Sequence, residues 1–281
     1  MAEVNSTIGE LDRKAGERPE QHATRRPAEI KTEPRAQQSG RTYGLLSRLR
    51  SYLFLDPLIW LYSLVMGAMS ILFGFFDRDG RILHRFARLW SQLIMKTIFS
   101  PVTVTGLEKI DTSKPHVYAV NHASALDIPV LYVYLPFQFR IVFKKELLKY
   151  PVIGGHLKRS QQVCIDQQNP ASSIASIRSA LKGLKEGMPL VIFPEGGRTP
   201  DGEIKLFLPG AFFLAIKAQV DIVPVVLIGT FELLPMNTYH IKCRPLEMRV
   251  GAPISTAGMK AHDIGALSEK VHEEMEKLRN A

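Results

Sequence analysis

His122 and Asp127 stand five residues apart in VNHASALDIP (120–129), directly after the apolar run HVYAV, with only small or apolar side chains between them. A carboxylate that accepts from one imidazole nitrogen fixes the tautomer and leaves the other nitrogen free to take a proton. With His122 in the turn after a strand and a helix starting near Ser124 or Ala125, Asp127 falls in the first helical turn and reaches back to the ring. No Gly-x-Ser-x-Gly elbow occurs, and Ser124, the only nearby hydroxyl, lacks a strained turn to present it. The pair therefore suits activation of a hydroxyl on a substrate. A helix-capping aspartate beside an incidental histidine is the plain alternative.

Two further stretches carry chemistry. VIFPEGGRT (191–199) leaves a buried strand through Pro194 into Glu195, Gly196, Gly197 and Arg198. Glycines let backbone N–H groups approach an anion, and a guanidinium offers a planar fork matched to phosphate. Glu195 is placed to orient that guanidinium or to accept from a substrate hydroxyl. A glycine-rich turn with a surface ion pair is the simpler account. FKKELLKYPVIGG (143–155) groups Lys144, Lys145 and Lys149 after another strand. For Lys149 a solvated face suffices.

These stretches need elements to hold them. From about residue 101 the runs PVTVTG, HVYAV, FRIVF, QVCID, PLVIF, IVPVVLIG and LEMRV read as strands. Helical patterns separate several of them. SSIASIRSALKGLKEG aligns Ile174, Ile177, Leu181 and Leu184 and ends at Gly187, a C′ glycine. AFFLAIKAQ and the run holding Ile264, Leu267, Val271, Met275 and Leu278 are similar. The alternation predicts an α/β sheet flanked by helices, whose strand exits are where such sheets place their sites.

Ahead of it, PLIWLYSLVMGAMSILFGFF (57–76) is uncharged throughout. At about 1.5 Å per residue it makes a helix of roughly 30 Å, the thickness of a bilayer's hydrocarbon core. It is expected to associate with membrane, by spanning or by dipping in at Gly67 and Gly74. RILHRFARLWSQLIMK (81–96) sets Ile82, Phe86, Leu89 and Leu93 against Arg81, Arg85, Arg88, Gln92 and Lys96, which suits a membrane interface or a cover for the sheet. Residues 1–43 are polar, with too few large apolar side chains to offset ordering, and are expected to form a disordered tail. The domain reading is thus a tail at 1–43, a membrane-anchoring helical segment at 44–99 and an α/β domain at 100–281.

The chain has 281 residues and a formal charge of +9, without a dense lysine tract or a basic patch interleaved with aromatics, so nucleic acid is not the expected partner. Its 2 cysteines are in no metal-ligand spacing, which predicts a reducing compartment and no metal site.

In their order, NHASALD, FKKELLKYPVIGG, FPEGGRT and IVPVV resemble the glycerolipid acyltransferase family, especially the 1-acylglycerol-3-phosphate acyltransferases, over roughly residues 100–230. The resemblance implies a mixed twisted sheet flanked by helices and an N-terminal helical membrane anchor. It implies that His122 is the general base on the free hydroxyl of lysophosphatidic acid, with Asp127 orienting it and stabilising its cation. Glu195, Gly196 and Arg198 then bind the acceptor's phosphate, with Gly197 in the same loop and Lys144 and Lys145 matching the family's basic residues. The donor is a thioester of coenzyme A or acyl carrier protein, with no metal or redox cofactor. The expected partners are the bilayer, the lysophospholipid and the thioester carrier, with the active site on the cytoplasmic face. Gly197, Gln167 and Leu208-Pro209-Gly210 depart from the family's usual threonine, arginine and lysines, and Lys205 is a possible substitute cation. Transfer to a different lyso-lipid is therefore the main alternative, ahead of a lipid hydrolase or a non-catalytic membrane-bound relative.

Overall fold

A computed structural model describes residues 44–166, 169 and 173–281, so the expectations for the tail and for Gln167 lie outside the described residues. In chain order the helices are α1 (Leu45–Arg50), α2 (Asp56–Phe73), α3 (Arg81–Ile98), α4 (Asp127–Tyr134), α5 (Pro151–Arg159), α6 (Ile174–Lys185), α7 (Gly210–Ala218), α8 (Thr230–Leu233) and α9 (Ile264–Asn280). The strands are β1 (Val102–Thr105), β2 (Val117–Val120), β3 (Arg140–Lys144), β4 (Val163–Ile165), β5 (Leu190–Ile192), β6 (Ile222–Ile228) and β7 (Leu246–Val250). All seven fall on the apolar runs read as strands.

They form one sheet in the order β1-β7-β6-β2-β5-β3-β4, parallel except for the antiparallel pair β6–β7. The α/β sheet is thus mixed, with helices flanking it. The central strands β2 and β5 are buried at every position, which explains why they read as unbroken apolar runs rather than as alternation. Tyr118, Leu131, Phe139 and Phe212 are among the largest fully buried side chains. Register does the work that matters for the site. Ala119 pairs with Ile192 and Ile141 with Val191, so β2, β5 and β3 release their loops side by side at one edge. Counting three residues on from the β2–β5 pair brings His122 level with Glu195.

The apolar run is helical and continuous with α1. A helix of 29 residues, Leu45–Phe73, is long and apolar enough to cross a membrane, and only 17% of its most apolar window is buried. It is therefore not a core helix. The helix ends at Phe73, with Gly74 as the cap, short of the end of the apolar run at residue 76. One face of α2 lies on the domain. Gly67 meets Val152 and Gly155 meets Ile71 so closely that a β-carbon would sit 2.0 and 2.6 Å from the facing side chains. Ser70 and His156 are hydrogen-bonded across the same seam at 3.0 Å.

The buried stripe of α3 differs from the expected one. Leu83, His84, Ala87, Ser91, Ile94, Met95 and Ile98 face inward, while Leu89 is exposed and Phe86 stacks on Phe73 of α2. Small and polar side chains let α3 approach α4, and the His84 ring fits between Tyr132 and Phe139. Arg88 turns inward as well, donating to the carbonyls of Tyr132 and Leu135 at the end of α4. A helix covering the sheet describes α3 better than one whose Ile82–Leu93 stripe is given to lipid.

Candidate active site

α4 begins at Asp127, about one turn later than a start at Ser124, so residues 121–126 form an extended loop that curls over the aspartate. Asp127 is completely buried. Its Oδ2 accepts from Nδ1–H of His122 and from the backbone N–H groups of Ala123 and Ser124, each at 2.8 Å. Three donors on one oxygen hold the loop closed around the carboxylate. The imidazole stacks on Phe193, with centroids 4.0 Å apart, and its side chain is 18% exposed. Nε2 has no partner among the described residues. Ser124 is buried, donates to the Leu234 carbonyl and accepts from Leu126 N–H, so it is a loop fastener and not a nucleophile.

The loop after β5 grips the histidine's own backbone. Glu195 Oε1 accepts from His122 N–H at 2.8 Å, and Thr199 N–H donates to the His122 carbonyl at 2.8 Å. The other Glu195 oxygen accepts from Lys205 N–H at 3.2 Å. Both carboxylate oxygens thus serve the backbone, which differs from orienting a guanidinium. Burial lifts this carboxyl to about 7, against the pull of its two N–H donors. Gly196 turns the chain with φ of 71°, a left-handed conformation that favours glycine.

Three cations border this edge. A side chain grown from Gly197 would begin 3.3 Å from Lys144 Nζ, so Lys144 reaches the loop. Arg198 is exposed, and neither it nor Lys144 has an ion-pair partner among the described residues. Lys145 is paired instead with Asp166 at 2.9 Å. The structure therefore gathers His122, Asp127, Lys144, Glu195, Gly196, Gly197 and Arg198 and turns the Lys145 charge toward Asp166. Among the described residues, no group of three or more His, Cys, Asp or Glu side chains is arranged to hold a metal ion.

Sequence reading passed over Asn121, Phe193 and Thr199. Asn121 exchanges two hydrogen bonds with Leu227 of β6, at 2.7 and 3.1 Å, and fixes the loop's root. An amide placed directly after a fully apolar strand was its available signal.

The family model described as Acyltransferase matches residues 101–228, the span from β1 to the end of β6 that holds every one of these groups. The domain at 101–228 belongs to the acyltransferase family. The chain is 29% identical over 188 residues to a 1-acyl-sn-glycerol-3-phosphate acyltransferase of Cocos nucifera, covering 66% of this chain and 60% of that one. It is 31% identical to a chloroplastic enzyme of the same name from Brassica napus, covering 70% and 58%. The chain spans about 60% of the length of these relatives. The crystal structure of the 1-acyl-sn-glycerophosphate acyltransferase PlsC from Thermotoga maritima shares the fold, with TM-score 0.68 and 23% identity over 84% of this chain and 98% of that one.

Proposed function

We propose that this protein moves a fatty acyl group from an acyl thioester to the free hydroxyl of lysophosphatidic acid, giving phosphatidic acid at a membrane surface. The observation that carries the reading is the occupied Nδ1 of a histidine whose backbone is clamped on both sides and whose Nε2 has no partner among the described residues. Nε2 removes the acceptor's hydroxyl proton as that oxygen forms the new ester bond at the thioester carbonyl. The C–S bond breaks, and the departing thiolate takes the proton back from the imidazolium. Asp127 keeps the ring in the required tautomer and balances its transient charge. Arg198 and Lys144 receive the acceptor's phosphate, while Glu195 positions the histidine loop. No metal or redox cofactor enters the scheme, and the thioester carrier is coenzyme A or acyl carrier protein on the cytoplasmic side. The names of the relatives support this acceptor, and the exposed face of α2 supports the membrane setting.

A second reading keeps the transfer and changes the acceptor. It is favoured by the pairing of Lys145 with Asp166 and by Leu208 in place of a cation before α7. Labelled acyl thioester offered with lysophosphatidic acid, lysophosphatidylcholine, lysophosphatidylethanolamine and monoacylglycerol separates the two. Label entering phosphatidic acid supports the first, and label entering another lipid in preference replaces it with the second.

A further inference from the structure

We infer that the loop carrying Leu206 and Leu208 inserts into the lipid surface, giving the catalytic edge its own membrane contact in addition to α2. Leu206 is 88% and Leu208 48% exposed, yet the loop that holds them is fixed. Lys205 N–H is bonded to Glu195, Leu208 N–H donates to the Pro194 carbonyl at 2.7 Å, and Phe207 between the leucines turns inward onto Phe212 and His272. A tied backbone that sends one aromatic in and both neighbouring leucines out exposes apolar surface that water does not reward.

The neighbouring loop behaves alike. After β3, the strand paired to β5, Leu147, Tyr150 and Ile153 are exposed at 39, 58 and 44%. Val152 meets Gly67 of α2 while Ile153 beside it points out, so this rim is continuous with the helix long and apolar enough to cross a membrane. The occupant is a bilayer carrying anionic phospholipid rather than a second copy of the chain. Exposed Lys205 precedes Leu206 and exposed Lys149 precedes Tyr150, the pairing of apolar anchor and cation that suits acyl chains under phosphate. Self-association through this rim would set cation against cation.

The test uses the full chain with Cys164→Ser and Cys243→Ser, reconstituted in vesicles of phosphatidylglycerol and phosphatidylcholine. A nitroxide is attached at Leu206→Cys, at Leu208→Cys, or at Ala257→Cys on the exposed loop after β7, at the opposite edge of the sheet. At 206 and 208, collisions with dissolved oxygen should rise and those with an aqueous nickel chelate fall several-fold relative to 257. Nickel access at 206 and 208 equal to that at 257 would overturn the proposal. So would shielding from both reagents that persists in detergent without vesicles, which marks contact between copies. Neither readout needs turnover, so failure of the proposed reaction leaves this result interpretable.

Discussion

Replacing Asp127 by Asn separates a carboxylate that caps a loop from one that also positions the histidine. The exchange is nearly isosteric at a fully buried position. With the amide oxygen in the place of Oδ2, the three donors of His122, Ala123 and Ser124 keep an acceptor, but a neutral one. The amide nitrogen then occupies the site of Oδ1, which is buried without a partner among the described residues. Two backbone bonds falling from charge-assisted to neutral strength, together with an unsatisfied buried N–H, cost about 2–4 kcal/mol. For a chain of this size that is a Tm lower by about 4–16 °C. Catalysis should suffer more, because the imidazolium formed during proton transfer loses its counter-charge and the ring its fixed tautomer. We expect kcat to fall by roughly 10²–10⁴-fold. The assay is acyl transfer at saturating lyso-lipid, at a temperature below both melting curves. A variant with lowered Tm and kcat within about threefold of wild type would show that Asp127 only closes the loop, and would refute the positioning argument.

Arg198→Ala should raise the KM for lysophosphatidic acid by about 10–150-fold, the worth of a charged hydrogen bond at 1.5–3 kcal/mol, with little change in kcat; an unchanged KM would remove Arg198 from the phosphate site. Burial lifts the Glu195 carboxyl to about 7 from its ordinary 4.5, so the folded chain keeps a proton that the unfolded chain releases. That contribution is fully present below about pH 4.5 and is lost as pH rises through 7, so wild-type Tm should drop relative to Glu195→Gln between pH 5 and 8. Parallel Tm curves would contradict it. Gly196→Ala at φ of 71° should lower stability by about 1–2 kcal/mol in denaturant unfolding, and no loss would show that the turn adopts another conformation at no cost.

The sheet was legible because each strand is a short apolar run bounded by turn residues, and β2, β5 and β6 are buried on both faces. The His122–Asp127 contact was legible because it is local, lying within a loop and one helical start. Contacts between distant segments were not. Nothing in FKKE shows that Lys145 meets Asp166, 21 residues on, and nothing in FPEGGRT shows that Glu195 and Thr199 hold the backbone of His122. The α3 stripe misled because Ile82, Phe86, Leu89 and Leu93 satisfy helical spacing as well as the buried set does. Packing against α4 selected the face with Ala87 and Ser91, whose small side chains let two helices approach, and spacing alone does not encode that choice.

The most direct measurement compares wild type with His122→Ala for transfer of labelled acyl groups from an acyl thioester to lysophosphatidic acid, with both proteins in membranes at matched amounts. His122 acting as the general base predicts labelled phosphatidic acid from wild type and a loss of at least about 10²-fold in the variant, with membrane attachment unchanged. Equal label in phosphatidic acid from both proteins would contradict it.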